Sequence, residues 1–360
     1  MSLKFHRHCR RRINVLGSMV CAGATLVFAV HPQLTANADS ELVPYTQKFA
    51  NSPVTFDMVP VPRGEFVMGS PDAEPGHAPD EGPRHRVKIE PFWMGKHEVT
   101  WDEFELWSLQ RDFRQRKRQQ TESTERDRLV DAVTTPTPPY TDLSFGMGTR
   151  GYPVICVTQH AARKYCEWLS ARTGLYHRLP TEAEWEYACR AGTTTADSCG
   201  DRSKLDDHAW HSGNSAVDGT TTLHPVGKKK PNPWGLHDMH GNVAEWVLDK
   251  YDPGFYAKFP KDQAATFPLS LAEREYPRVA RGGSWMSDPN TVRSAARQAS
   301  TAAWKESDPG LPQSAWYVTD APFVGFRIVR PFRIPSDEER KRLRLDAVVP
   351  IDVKENTVRP

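Results

Sequence analysis

Proline restricts this chain more than any other residue: 30 prolines among 360 residues interrupt it too often for long helices or wide sheets. The chain also carries 11 tryptophans, and 10% of it is aromatic. Many prolines with many large rings describe a loop-rich fold, its core filled by aromatic side chains between short elements. The length suits one large domain or two ordinary ones, and no repeat or strong internal boundary divides it.

Residues 1–38 read as a secretory signal. A basic stretch ends at Arg12, an apolar run covers 13–30, and Ala36-Asn37-Ala38 offers small residues for cleavage. An uncleaved membrane anchor is the alternative reading of the same run. Cleavage would leave a periplasmic or extracellular protein with no membrane contact, beginning with a leader segment at 39–54. Without Lys4, Arg7, Arg10, Arg11 and Arg12, 42 basic residues face 45 acidic ones, a charge of −3. Nucleic acid is therefore excluded as a partner by the lack of a basic field. Four cysteines lie beyond the signal: Cys156, Cys166, Cys189 and Cys199. In an exported chain they allow two disulfides in any of three pairings, or buried thiols.

Short elements follow one another downstream. Residues 56–61 and 64–70 read as two strands around a Pro-Arg-Gly turn, and 86–89 alternates as a third. Thr100 with Glu103, and Thr181 with Glu184, are capping boxes that start helices. Ala162, Tyr165, Cys166 and Leu169 recur at helical spacing. Residues 108–150 read as a charged insertion, densest at 111–128, where scarce apolar residues indicate a solvated helix or a mobile segment. Residues 193–227 read as loop, 325–329 as a closing strand, and 333–360 as a charged tail. His208, His211, His224, His237 and His240 lie near one another in sequence. No helical pair with an orienting carboxylate accompanies them, so zinc is not expected.

Six motifs occur in order: Phe66-Val67-Met68-Gly69-Ser70, Glu98-Val99-Thr100, residues 178–188 (RLPTEAEWEYA), residues 235–246 (GLHDMHGNVAEW), Arg281-Gly282-Gly283-Ser284-Trp285 and Gly325-Phe326-Arg327. Together they resemble the formylglycine-generating-enzyme (sulfatase-modifying-factor) family over residues 55–332. The resemblance implies an irregular, loop-rich α/β (α+β) fold related to C-type lectin-like domains.

The family's namesake uses oxygen and copper to convert a sulfatase cysteine into formylglycine, and two thiolates hold its Cu(I). The resemblance places the first thiolate at Ser287, three positions after Ser284, and the second five residues later. The stretch from Ser287 to Ala295 is shorter than the family's and holds no cysteine. A serine hydroxyl is a hard, weakly acidic ligand that does not replace a thiolate on Cu(I), so copper is not expected here. Two of the family's disulfide positions correspond to Cys166 and Cys189, but the partner positions carry Ile328 and Ser294. The namesake's two disulfides therefore cannot both form.

The resemblance also implies calcium. One ion would lie between the side chains of Asp238 and Glu245 and the carbonyls of Gly241 and Val243, oxygen donors that suit a hard cation. A capped turn without metal is the alternative. A second ion would use Asn214, the Ser215 carbonyl, Asp218 and the Thr220 carbonyl, on a loop shorter than the namesake's. Arg281, Trp285, Arg293 and Arg297 would surround the family's peptide groove, or else organise the fold through buried ion pairs. Three functions are consistent with these readings. One is a non-oxidising module that binds a peptide or protein, such as an exported sulfatase. The others are an enzyme of the family acting by an altered route and an assembly factor.

Overall fold

The structure is a computed structural model that describes residues 42–344, except 51, 120–121, 309, 311–312 and 334. The expected signal at 1–38 lies outside the described residues. No helix among them is long and apolar enough to cross a membrane.

Its elements are short, as the prolines require. The chain opens with strands β1 (Tyr45–Lys48), β2 (Thr55–Val61), β3 (Gly64–Met68), β4 (His85–Ile89) and β5 (Phe92–Gly95). Helices α1 (Trp101–Ser108), α2 (Arg111–Arg118), α3 (Glu125–Asp131), α4 (Gln159–Thr173), α5 (Glu182–Arg190) and α6 (Leu205–His208) follow. The second half holds β6 (Ala216–Val217), β7 (Thr220–Thr221), β8 (Ala244–Lys250), β9 (Ala265–Thr266), β10 (Arg278–Arg281), β11 (Arg297–Ala299), β12 (Val324–Phe326) and β13 (Val329–Pro331). Helix α7 (Asp337–Arg344) ends the described chain.

The strands form sheets in the orders β1-β2-β5-β13, β11-β10-β8-β12 and β3-β4-β9, with a β6–β7 hairpin. Strand β8 is almost wholly buried, so it reads as a continuous apolar run interrupted by Glu245 and Asp249. It pairs antiparallel with β10 and parallel with β12, which sets Glu245 opposite both Arg281 and Gly325. The three late motifs thus meet on adjacent strands. Gly325 is required there, since a Cβ would lie 2.5 Å from the Val154 carbonyl oxygen.

Two apolar clusters flank this arrangement. One gathers Phe104, Trp107, Tyr165, Trp168, Trp246, Trp304 and Phe326. The other packs Trp185 and Tyr187 of α5 against Val87, Phe92, Met94, Val247 and Tyr256. Large rings fill both cores.

The structure refines three expectations. The segment read as leader supplies β1, which pairs with β2 from Tyr45↔Met58 to Lys48↔Thr55. Within the charged insertion, Arg111–Arg118 and Glu125–Asp131 form α2 and α3, most of whose residues are exposed, in line with a solvated helix. Asp112 and Asp127 are buried and bind Arg116 and Arg172, and the latter belongs to α4. Ion pairs supply the cohesion that apolar residues would otherwise provide. Finally, 193–227 is not all loop, because it contains α6 and the β6–β7 hairpin.

Candidate functional site

The motif around Asp238 and Glu245 is built on backbone geometry that few residues tolerate. Asp238, Gly241 and Asn242 all have left-handed φ. At Gly241 a Cβ would lie 1.9 Å from the Trp210 carbonyl oxygen, so only glycine fits. Glu245 is buried and fully occupied. Its Oε1 accepts from Arg327 Nη2 at 2.7 Å, and its Oε2 accepts from Arg327 Nε at 2.8 Å and Trp185 Nε1 at 2.7 Å. Asp238 is also buried. Its Oδ2 accepts from the Gly227 N–H at 2.7 Å.

Glu98 faces Asp238, and the two carboxyls are hydrogen-bonded to each other. Burial pushes the Glu98 carboxyl well above its ordinary range, and Asp238 adds to that while Arg327 opposes it. Burial likewise raises Asp238, against the Gly227 hydrogen bond. Among the described residues no three His, Cys, Asp or Glu side chains converge to hold an ion by themselves. As a set, the expected calcium ligands do not fit: Asp238 is bonded to Gly227 and Glu98, and Glu245 is spent on Arg327 and Trp185.

The second expected calcium set does not assemble either. Asn214 accepts from the His211 N–H at 2.9 Å and donates to the Ala209 carbonyl at 2.9 Å. The Ser215 carbonyl accepts from His224 Nε2, 2.9 Å away. Asp218 is exposed at the tip of the β6–β7 turn, and Thr220 lies in the paired strand beyond it. A two-residue turn replaces the longer loop that would carry a ligand inward.

Three of the four groove candidates are turned into the protein. The Arg281 side chain is fully covered; it donates to Glu186 Oε2 at 2.5 Å and to the Ser294, Ala295 and Ala296 carbonyls. Arg293 binds Glu81 and Glu74. Arg297 forks onto Glu182 at 2.7 and 3.0 Å and lies over the Tyr256 ring. Each guanidinium neutralises buried carboxylates and reaches no surface groove.

Trp285 is buried too, at 8% exposed. It packs with Leu143, Leu223, Val243 and Tyr317, and Met147 and Tyr152 lean on the same cluster. The next residue, Met286, is 48% exposed. The loop that delivers Leu143 and Met147 also exposes Tyr140 and Phe145, at 84% and 53%. Three large apolar side chains are thus exposed on segments that pack beside Trp285.

Ser284 and Ser287 close a tight turn. The Ser284 N–H donates to Ser287 Oγ at 2.9 Å, and the two hydroxyls are 3.2 Å apart. Val292, at the second expected thiolate position, is buried and faces Ser287 across Gly283. All four cysteines are free. Cys199 packs near Val292, its thiol donating to Asp197, and burial and then Asp197 push it up to about 12. Cys189 sits 3.5 Å from Ser294 Oγ, and burial pushes its thiol up to about 12. Burial thus disfavours the thiolate form of both. His240 is buried between Val292, Ser198 and Cys189.

The functional reading missed Glu98. Its signal is an acid two residues before the Thr100 cap, within a motif that had been noted without a role.

Residues 45–312 match the sulfatase-modifying factor enzyme 1-like domain family. The chain is 30% identical over 278 residues to the formylglycine-generating enzyme of Streptomyces coelicolor, covering 69% of this chain and 85% of that one. Over 273 residues it is 30% identical to the inactive C-alpha-formylglycine-generating enzyme 2 of Bos taurus, covering 64% and 77% of the two chains. Serine/threonine-protein kinase pkn1 of Chlamydia pneumoniae is 32% identical over 246 residues. That match covers 68% of this chain but only 35% of the kinase, so the chain spans about a third of that relative. Among solved structures, PvdO from Pseudomonas aeruginosa is 30% identical with a TM-score of 0.54, covering 77% of this chain and 94% of PvdO. The chain belongs to the sulfatase-modifying factor enzyme 1-like family and has its mixed α/β fold.

Proposed function

We propose that this chain is an exported, non-oxidising member of its family that binds a peptide or protein ligand on the surface around Trp285. The observation that supports this reading is the pairing of two features in one segment. Ser287 is tied into a turn and Val292 is apolar where the family's copper thiolates would stand. Immediately beside them, Met286 and the Leu143–Met147 loop offer an exposed apolar rim around Trp285. The first feature removes the soft donors that oxygen chemistry on Cu(I) would need. The second offers exposed apolar side chains that a ligand would cover. The relative named as an inactive formylglycine-generating enzyme agrees with loss of chemistry on this fold.

The test is peptide binding measured by calorimetry, using a peptide with the sulfatase Cys-x-Pro-x-Arg pattern and its Cys→Ser analogue. Both peptides should bind saturably. Met286→Asp and Phe145→Asp, made at exposed positions so that folding is unaffected, should each weaken binding by about tenfold or more. Binding that is absent, or indifferent to both substitutions, would contradict this reading.

A further inference from the structure

A cleft of about 370 Å3 lies between β5 and β13, the turn after β9 and the start of α7. That volume falls within the range of small-molecule sites, about 300–1,000 Å3. Its apolar walls are Phe92, Phe267, Pro91, Pro331 and Pro335, rings that offer flat surfaces for another ring. Arg178 and Glu184, each 6% exposed, form its inner polar end.

Two features of this cleft have no use elsewhere in the protein. Arg178 spends Nη1 on Glu184 and the Leu179 carbonyl and Nη2 on Glu184, but its covered Nε–H has no acceptor. Covered donors without acceptors are rare in folded proteins. The second feature is Phe267, whose ring lies 5.6 Å from the Arg178 guanidinium carbon. Its φ is +50°, a strained conformation for a bulky residue, yet the side chain stays 37% exposed. The ring joins none of the apolar clusters formed by the described residues. Packing within the protein therefore accounts neither for the strained turn nor for the idle donor.

We propose that this cleft binds an uncharged aromatic molecule with an amide-like end. The ligand ring packs between Phe267 and the prolines. Its carbonyl accepts from Arg178 Nε, the Phe267 ring turning aside to uncover that donor, and its N–H donates toward Glu184. Charge balance selects an uncharged ligand. Arg178 is matched by Glu184, Arg333 forks onto Glu339, and Glu90 meets the exposed Arg63 at 3.9 Å. An anion or a cation would find no unmatched counter-charge here. The cleft shares no residue with the surface around Trp285, so this inference is independent of peptide binding there.

The experiment titrates the full chain with benzamide, benzoate and benzylamine, followed by saturation-transfer NMR and by the Arg178 Nε–H resonance. Benzamide should bind saturably and shift that resonance. Benzoate and benzylamine should each bind about fivefold or more weaker, because each carries an unmatched charge. Phe267→Gly removes an exposed ring at a φ that suits glycine, so its melting temperature should not fall. Its benzamide affinity should drop about fivefold. No saturable benzamide binding, or binding that leaves both the Arg178 resonance and the Phe267→Gly affinity unchanged, would overturn the proposal. Benzoate or benzylamine binding as tightly as benzamide would overturn the assignment of an uncharged ligand.

Discussion

Arg281 concentrates the energetics of this fold in one side chain. It is fully covered and joins α5, through Glu186, to the carbonyls of 294–296. Arg281→Met should destabilise the protein by about 3–5 kcal/mol, because Glu186 is left beside Arg190 without its second cation. Urea denaturation measures this. Arg281→Lys should recover only part of the loss, since an ammonium cannot reach a carboxylate and three carbonyls at once. The sequence could not distinguish a guanidinium forked to a ligand from one forked to the protein's own acid. The partners are remote: Glu186 lies 95 residues from Arg281, and Glu74 lies 219 residues from Arg293. Ser287 was legible in the opposite sense, because the absence of a thiol needs no contact map.

Among the elements, α2 and α3 are anchored by two buried acids. The Asp112–Arg172 and Asp127–Arg172 pairs pin them to α4, and the Thr124 capping box fixes the start of α3. Arg172→Ala should cost about 1–2 kcal/mol and raise amide exchange across 111–131 while sparing α5, as hydrogen-exchange mass spectrometry would show. Equal exchange throughout would mean that α2 and α3 are held by something other than these ions. Where a helix begins at Thr-x-x-Glu, as α1 and α5 do, the sequence was sufficient, because the cap is local chemistry. It was insufficient for α3, whose cap uses Asp127 and whose cohesion is ionic, and for β1, a four-residue strand recognisable only once β2 is beside it.

For the whole molecule, the buried histidines set the acid limit. His177 is 2% exposed, bonds the Leu175 carbonyl through Nδ1, and is lowered to about 3 by burial. Its unfolded value is about 6.5, so the unfolded chain takes up the proton first as pH falls. The contribution of His177 is therefore complete above about pH 6.5 and is lost progressively toward pH 3, at up to about 1.4 kcal/mol per pH unit. His240, held to about 4 by burial, acts in the same direction. Melting temperature should drop between pH 7 and 4, and His177→Asn should flatten part of that drop; an unchanged profile would show that His177 is not buried neutral. The overall architecture was legible because six motifs in fixed order describe a family fold. The calcium ligand sets were not, because who occupies Glu245 depends on Arg327, 82 residues away.

The central claim is that the fold persists here without the family's oxidation. It is tested most directly by incubating copper-loaded protein with a Cys-x-Pro-x-Arg peptide under air and following the cysteine by mass spectrometry. The account predicts no formylglycine above a metal-free control, from protein that binds the peptide and melts cooperatively. Copper-dependent conversion, lost again on removal of the metal, would contradict it and show that Ser287 and Val292 do not exclude catalysis.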